Sequence, residues 1–463
     1  MSHIDPIVSY ASEQFEATVS ELCEYLAVPA ISCEAEHAGD VARLSALVAR
    51  NLATLGFASE VRALSGALPL VAASRRCARP DAPTLLIYGH LDLQPVRGET
   101  WTSPPHVGRR VQGPDGERLF ARGAADDMGG WVSHLAAIRA FLAQTGDLPL
   151  HLKLIIEGEE EIGSPNLERY MDAFADDFAA DVMVLTDCEN PSIDLPGLTT
   201  SLRGLYEVEL ECEALYSDVH SGLWGNMAPD VSSALIHLLA RLSDKNGRPT
   251  FAHQTVAEDF KESARLVPLT DQVIFEGAHL VDGVLPLPKE GATAAEWLWR
   301  QPAITVLSTT LPRPDAHKNA LRARASAALS LRIPPGVTQA ELRTELEGLL
   351  LVDPPGGVKV TLRDRPGGAE SWLYRPTGPA FAAADRAYHK AWGCPLVQIG
   401  IGGSIPFVAL FGRRYAHLPL ILNGVMDPKT GAHGPDESLH LGIFKKAIAA
   451  NIHLYHELSQ LVF

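Results

Sequence analysis

The order of hydrophobic and polar positions divides the chain into helical and extended stretches. Residues 8–56 carry apolar side chains at every third or fourth position, as at Phe15 and Val19, which predicts amphipathic helices. The same period returns over residues 126–146, and Gly146 is typical of the position that ends a helix. Each of these stretches therefore predicts a helix that turns one face towards a core.

Uninterrupted apolar runs predict strands that are buried on both faces. Such runs occupy residues 84–92, 150–158, 181–187 and 418–425. Because they alternate with helical stretches, the sequence predicts an α/β fold with a mostly parallel sheet and helices on both faces.

After about residue 202 the pattern changes from continuous to alternating. Residues 205–214 alternate apolar and polar side chains, as a half-exposed antiparallel strand does. Residues 231–242 predict a helix, and residues 325–333 and 358–364 predict further strands. This order predicts a small α+β sandwich that is inserted into the larger domain.

The insertion divides the chain into three segments. We expect residues 1–202 and 369–463 to form the larger domain together, and residues 203–368 to form the inserted domain. Predicted helices at 378–392 and 438–461 complete the larger domain. The length of 463 residues agrees with two or three domains.

Charge and cysteine usage narrow the classes of partner. The chain has 56 acidic and 39 basic residues and a formal net charge of −17, which argues against nucleic acid or an anionic membrane as main partner and favours cations. No apolar run reaches the length of a transmembrane helix, and the first residues lack the pattern of a signal peptide. The six cysteines include no CxxC pair, so we expect reduced thiols in a cytoplasmic protein.

Acidic and histidine side chains follow the predicted buried strands at their carboxyl ends. They are His90 and Asp92, Asp126 and Asp127, the glutamates of 157–161, Asp187 and His433. Because ligands of open α/β sheets bind at this edge, we expect these side chains to converge. Each has an ordinary explanation alone, such as a helix cap or a structural histidine. Their conjunction favours zinc-like divalent ions, which would offset the repulsion among the glutamates.

Six short motifs carry a family resemblance. They are "GHLDLQP" (89–95), "ARGAADDMGG" (121–130), "EGEEEIGS" (157–164), "SDVHSG" (217–222), "GGSIP" (402–406) and "GAHGPDE" (431–437). In this order they resemble the di-zinc metallopeptidase family of carnosine and other dipeptidases, glutamate carboxypeptidases, aminoacylases and succinyl-diaminopimelate desuccinylase. The first and fifth motifs favour its carnosinase-like dipeptidase branch.

The resemblance implies two divalent metal ions per chain, Zn²⁺ in the first place, with Mn²⁺ or Co²⁺ as alternatives. It implies that His90 and Asp187 bind one ion, that Glu161 and His433 bind the other, and that Asp126 bridges them. It further implies a cis peptide bond after Asp126.

The resemblance also assigns residues to the chemistry. Asp92 would orient the His90 imidazole, and Glu160 would act as general base on a water shared by the two metals. His220 would stabilise the oxyanion, and in dimeric family members this histidine comes from the partner subunit. The inserted domain would then be a lid and dimerisation domain, which makes a homodimer the expected assembly.

Three further residues would hold the carboxylate of the substrate. Arg332 resembles the family arginine that binds it, and Ser404 and Gly403 of "GGSIP" would contribute a hydroxyl and backbone N–H groups. Departures from the family pattern are Met128, where a lysine is common, and Gly400 and Ile401, where many carnosinase-like members have arginine and glutamate.

The resemblance thus implies a zinc-dependent hydrolase that cleaves a dipeptide or another small peptide with a free C-terminal carboxylate. An aminoacylase or N-carbamoyl hydrolase is the alternative within this class, and Ile401 favours it because it removes a charge near the substrate. A non-catalytic binding protein on the same fold and a cysteine hydrolase using Cys188 are the alternatives from other classes.

Overall fold

A computed structural model describes residues 4–403, 406–415 and 417–463 of the chain. The described residues form two compact units. The first unit lies within Met1–Thr200, Arg375–Gln398 and Pro406–Phe463, and the second lies within Ser201–Tyr374 and Ile399–Ile405.

The helices and strands of the chain up to residue 202 belong almost entirely to the first unit. The helices are α1 (Asp5–Glu13), α2 (Phe15–Leu26), α3 (Ala38–Thr54), α4 (Met128–Thr145), α5 (Leu167–Ala173) and α6 (Ala175–Phe178). The strands are β1 (Ala58–Arg62), β2 (Leu70–Arg75), β3 (Thr84–His90), β4 (Arg109–Gly113), β5 (Gly116–Phe120), β6 (His151–Glu157), β7 (Val182–Leu185) and β8 (Gly197–Leu202).

The second unit follows, and the remaining elements return to the first. The helices are α7 (Ser221–Trp224), α8 (Val231–Ala240), α9 (Glu258–Leu266), α10 (Asp271–Gly277), α11 (Ala294–Arg300), α12 (Gln339–Leu350), α13 (Pro379–Trp392), α14 (Pro406–Arg414) and α15 (Leu441–Leu458). The strands are β9 (Gly204–Glu213), β10 (Val219–His220), β11 (Ala303–Thr309), β12 (Ala320–Leu321), β13 (Arg324–Ile333), β14 (Lys359–Asp364), β15 (Trp372–Leu373), β16 (Val397–Ile401), β17 (Leu420–Leu422) and β18 (Ser438–His440).

The central sheet of the first unit has the order β1-β2-β6-β3-β7-β17. The four strands β6, β3, β7 and β17 run parallel, and β2 is antiparallel to both of its neighbours. Both alternating sets of side chains on β3 and β7 are buried, so both faces of these strands are covered. This topology confirms the predicted α/β fold with a mostly parallel sheet.

The helix after the first buried strand packs on this sheet. Helix α4 contacts β3 and is buried along most of its length. It ends where the sequence predicts, because Gly146 takes the left-handed conformation (φ 76°) and donates its N–H to the carbonyl of Leu142.

The second unit contains a four-stranded antiparallel sheet in the order β11-β13-β9-β14. Side chains of β9 alternate between buried and half-buried, as the sequence pattern predicts, and α8 contacts both β9 and β13. One face of the sheet forms a core with helices α8 and α12, in which Leu210, Leu235, Leu329 and Leu346 are fully buried. Because this face holds the core, the alternate positions, such as Arg332, lie on the opposite face.

Candidate active site

The carboxyl ends of the parallel strands carry most of the predicted site residues. His90 ends β3 and lies opposite Glu157 of β6 in the register. A 3₁₀ helix, Glu160–Ile162, follows β6 after two intervening residues, and Asp187 is the second residue after β7. Because neighbouring parallel strands end at one edge of the sheet, these side chains meet there.

The ligand atoms of these side chains form two groups. Those of His90, Asp126 and Glu161 lie within 4.8 Å of one another, and so do those of His90, Glu160 and Asp187. The two groups share one histidine and otherwise consist of carboxylates. Nitrogen and oxygen donors in such sets suit divalent ions of the zinc type.

The carboxylate of Asp126 lies between two histidines. Its Oδ1 is 3.1 Å from His90 Nε2, and its Oδ2 is 3.2 Å from His433 Nε2. His433 Nε2 is also 3.3 Å from Glu161 Oε2. Although burial acts to raise it, contact with the two histidines holds the pKa of Asp126 well below its usual range. The peptide bond between Asp126 and Asp127 is cis.

Asp92 contacts both His90 and the glutamate pair. His90 Nδ1 is 3.1 Å from the backbone oxygen of Asp92 and 3.5 Å from its carboxylate oxygen Oδ1. The two carboxylate oxygens accept hydrogen bonds from the backbone N–H groups of Glu160 (3.1 Å) and Glu161 (3.0 Å). The Asp92 carboxylate therefore fixes the turn that presents both glutamates, in addition to the predicted contact with the imidazole.

The carboxylates of the site repel one another. Burial raises the pKa of Glu160 to about 8, and the charges of Glu161 and Asp126 add to this effect. Burial, together with the charge of Asp126, also raises the pKa of Asp187 well above its usual range. Conversely, contacts with Asp126 and Glu161 raise the pKa of His433 to about 11. The site thus binds protons to relieve its negative charge, and a divalent cation would relieve it in the same way.

The structure shows contacts of two further residues that the sequence does not predict. Asp127 Oδ2 accepts hydrogen bonds from His90 N (3.1 Å) and Thr186 Oγ1 (2.6 Å), which ties α4 to the ends of β3 and β7. Gln94 Nε2 donates to Glu161 Oε2 (2.8 Å). The sequence names Asp127 among the side chains expected at this edge without predicting these contacts, and adjacency in the motif is the only signal that could have drawn attention to Gln94.

Glu437 is a further residue that the sequence does not assign to the site, and it is fully buried. Its Oε1 accepts hydrogen bonds from the N–H groups of Ala125 (3.1 Å) and Asp126 (3.2 Å). Its Oε2 accepts from Gly123 N and from Arg122 Nη1, both at 3.0 Å. Since Glu437 belongs to the segment that carries His433, it joins that segment to the Asp126 loop.

Glu159 also has a structural role that the sequence leaves open. Its Oε1 accepts hydrogen bonds from Leu68 N (2.7 Å) and from Asn166 Nδ2 (3.0 Å). The side chain is buried and points to these groups. Of three consecutive glutamates, the first therefore anchors the turn, while Glu160 and Glu161 belong to the donor groups.

The other predicted site residues belong to the second unit. His220 is exposed, ends β10, and accepts a hydrogen bond from Gly222 N at Nδ1 (3.0 Å). Arg332 is half-buried on β13. Gly403 lies in a bend with open space at its Cα, and Ser404 lies outside the described residues.

Two of the sequence departures have a local explanation. A Cβ added at Gly400 would lie 2.6 Å from Trp299 Cβ, so the arginine common in the family has no space here. Met128 is fully buried at the start of α4, where a lysine would lose its hydration.

The structure also places Cys188 in the interior, where burial raises the pKa of its thiol well above the usual range, so the reactive thiolate is suppressed.

Comparison with known proteins gives one family. The family model for Peptidase family M20/M25/M40 matches residues 86–457 of this chain. The chain is 34% identical over 363 residues to a cysteinylglycine-S-conjugate dipeptidase of Corynebacterium striatum, covering 78% of this chain and 77% of that protein. It is 25% identical over 480 residues to the Cys-Gly metallodipeptidase dug1 of Schizosaccharomyces pombe, covering 98% of each.

A solved structure shares the fold. The crystal structure of human carnosine dipeptidase 1 aligns with a TM-score of 0.74, at 24% identity, over 100% of both chains. At this identity the likeness concerns the fold. No helix among the described residues is long and apolar enough to span a membrane.

Proposed function

Because the chain belongs to Peptidase family M20/M25/M40, we propose that it is a metal-dependent dipeptidase. Its substrate would be a dipeptide or another small peptide with a free C-terminal carboxylate. The observation that carries this proposal is the Asp126 carboxylate, which faces His90 with one oxygen and His433 with the other, beside Glu160. The family membership also confirms the resemblance that the motifs predict.

The residues present fit two divalent ions. Asp126 would bridge them, His90 and Asp187 would complete one site, and Glu161 and His433 the other. The fit rests on the surplus of buried carboxylates, because the raised pKa values of Glu160 and Asp187 mark negative charge that the described side chains do not neutralise. Zinc suits this donor set, and Mn²⁺ and Co²⁺ are the alternatives.

Bound metals would supply activation of a water molecule and polarisation of the amide carbonyl. The protein itself would move the proton. Glu160 is mostly buried, and its Oε2 lies 3.9 Å from His90 Nε2. Its carboxylate is therefore close to the proposed metal ligands but forms no short contact with His90. It would take a proton from the attacking water and pass it to the leaving amine. Asp92 supports this role because it holds the backbone N–H of Glu160.

Residues of the second unit would bind the rest of the substrate. Arg332 would hold the C-terminal carboxylate, with Gly403 and Ser404 as further donors, because guanidinium groups bind planar carboxylates with two parallel hydrogen bonds. His220 would stabilise the oxyanion. Its exposed position on a short strand agrees with a contact that a second molecule completes.

The surface around His220 supports a homodimer. Tyr216, Leu223, Trp224 and Met227 are all exposed there, and Met227 and Leu223 retain 82% and 74% of their accessible surface. Apolar side chains that cluster on a surface mark interaction sites. We propose a second copy of the chain as partner, and sedimentation that shows a monomer at micromolar concentration would contradict this assembly.

The six free cysteines agree with a reducing, cytoplasmic location.

One observation favours the alternative substrate. Ile401 is half-buried where many carnosinase-like members carry a charged residue. An apolar group at this position favours N-acyl or N-carbamoyl amino acids over a free α-amine, since no ion pair with the amine is available from this residue.

A hydrolysis screen tests the proposal. Purified protein with measured metal content would be assayed on dipeptides and on N-acyl and N-carbamoyl analogues with the same C-terminal residue. We expect the highest kcat/KM for a dipeptide, and loss of activity with a chelator. A higher kcat/KM for the N-acyl analogues would assign the alternative, and no turnover with two metal equivalents bound would favour a non-catalytic binding protein.

A further inference from the structure

The second unit contains a groove of about 380 Å³ that none of the predicted roles uses. Its walls come from the segment 247–304, which carries α10 and α11 and reaches the first residues of β11, and from Arg203. Pockets for small molecules have volumes of about 300–1,000 Å³. The groove is therefore large enough for a small ligand.

Most of the groove wall is apolar. Leu269, Ile274, Leu287, Trp297 and Leu298 line it, and Leu287 and Leu298 remain 53% and 45% exposed. Each of these side chains would lose contact with water if a ligand with an alkyl chain or ring filled the groove. The lining thus favours the apolar part of a ligand.

The basic side chains in the wall indicate what the polar part of the ligand would be. Arg203 and Arg248 are each 8% exposed, and within the described parts of the chain neither forms an ion pair with a carboxylate. Lys289 differs, because its Nζ is 2.6 Å from Asp271 Oδ1. Buried charges are normally paired. Glu290 and Asp244 lie close enough to offset part of the charge of Arg248. Among the described residues, the only charged group that acts on Arg203 is the like-charged Arg332, so a surplus of positive charge remains in the wall.

The hydrogen bonds of these arginines do not use all their donors. Arg203 donates Nε to the carbonyl of Gly402 (3.2 Å) and Nη1 to that of Gln301 (3.4 Å). Arg248 lies over the Trp297 ring, with its guanidinium carbon 3.5 Å from the ring centroid, and donates Nη2 to the Pro288 carbonyl. Its Nε is buried and has no hydrogen-bond partner among the described residues. A buried donor without a partner favours an acceptor from a ligand.

We infer that this groove binds a small amphipathic carboxylate, whose alkyl or aromatic part contacts the apolar wall and whose carboxylate contacts Arg248 and Arg203. The inference goes beyond the proposed peptidase reaction, because Arg332, the residue proposed for the substrate carboxylate, does not line the groove. It concerns the second unit alone and does not depend on bound metal.

Calorimetric titration with octanoate tests the inference, with 1-octanol as the uncharged probe of the same chain length. We expect saturable octanoate binding with one site per chain and at least tenfold weaker binding of 1-octanol, since the arginines are desolvated. Absence of saturable octanoate binding would overturn the inference.

Variants locate the site. Arg248→Met should weaken octanoate binding at least tenfold, whereas Arg265→Met, an exposed arginine in the same unit, should leave the affinity unchanged. Ile274→Trp narrows the groove from the apolar side without touching an arginine, and should weaken binding even if Arg248→Met fails to fold. Unchanged affinity in the Ile274→Trp variant would contradict the assignment. Loss of binding in Arg332→Met instead would place octanoate in the proposed substrate site and would likewise overturn it.

Discussion

Two regions of this molecule bury charge that their own side chains do not neutralise, and the signs are opposite. At the edge of the parallel sheet, burial and mutual repulsion raise the pKa values of Glu160 and Asp187. In the groove of the second unit, burial lowers the pKa of Arg203 to about 10, with help from the positive charge of Arg332. The first region therefore favours cations, and the second favours anions.

In both regions the main chain forms hydrogen bonds with the buried charged side chains. At the sheet edge, backbone N–H groups donate to the carboxylates of Asp92, Asp127 and Glu437. Within the described residues, Glu437 is the one of these three that also pairs with an arginine, Arg122. In the groove, backbone carbonyls accept from Arg203 and Arg248. The main chain thus stabilises surplus charge of either sign, and the ligand class follows from the charge that remains.

Glu160→Gln should have the largest effect on the first region. The amide cannot take a proton, so kcat should fall by about 10²–10⁴-fold, while both metals stay bound. The matched variant Glu161→Gln removes a proposed ligand and should lose metal. Metal content by mass spectrometry and kcat measured on the same samples separate the two outcomes. Equal loss of metal in both variants would contradict the division of roles between these neighbours.

Glu437→Gln should have the next largest effect, on stability. It removes the partner of the buried Arg122 and places an amide N–H₂ against backbone N–H groups. Breaking a buried ion pair costs about 3–5 kcal/mol, measured as the free energy of unfolding in urea with chelator present. Glu99→Gln, which removes the half-exposed second partner of Arg122, is the control and should cost less than about 1 kcal/mol. Similar losses in the two variants would show that Glu437 does not fix the loop.

The sequence predicts the parallel strands and the residues at their ends because both depend on local pattern. Continuous apolar runs give β3 and β6 almost to the residue, and alternation gives β9 and β13. The hairpin of β4 and β5 escapes prediction because β4 is largely exposed and neither strand alternates regularly between buried and exposed positions.

The supporting residues of the site escape prediction for another reason. Glu437 binds the N–H groups of 123–126 across more than 300 residues, and no local pattern records such a contact. The groove is equally invisible, because α9, α10 and α11 follow one another with mixed polarity and with loops rich in proline and glycine. Family resemblance covers the donors of the sheet edge and says nothing about these contacts.

A smaller effect concerns how the free energy of unfolding depends on pH. Burial raises the pKa of Glu157 to about 8, whereas an unfolded glutamate loses its proton near pH 4.3. Between these values the folded protein keeps a proton that the unfolded chain has released, so this group makes stability fall as pH rises from about 4 to about 8. Glu157→Gln stays neutral and should flatten the decline in unfolding free energy of the chelated protein. The exposed Glu24→Gln is the control and should leave the decline unchanged; a decline of the same slope in both variants would contradict this assignment.

The smallest expected effect concerns the affinity of the groove in the second unit for octanoate. Lys289 contributes no surplus charge there because it pairs with Asp271, and both side chains are partly exposed (35% and 72%). Asp271→Asn releases that charge, so octanoate should bind more tightly. Exposed ion pairs are worth about 0–1 kcal/mol, so the Kd should fall by no more than about fivefold. Glu276→Gln, on the same helix but outside this pair, should leave the Kd unchanged. A weaker affinity in Asp271→Asn would show that positive charge does not govern this groove, and the contrast with the sheet edge would then fail.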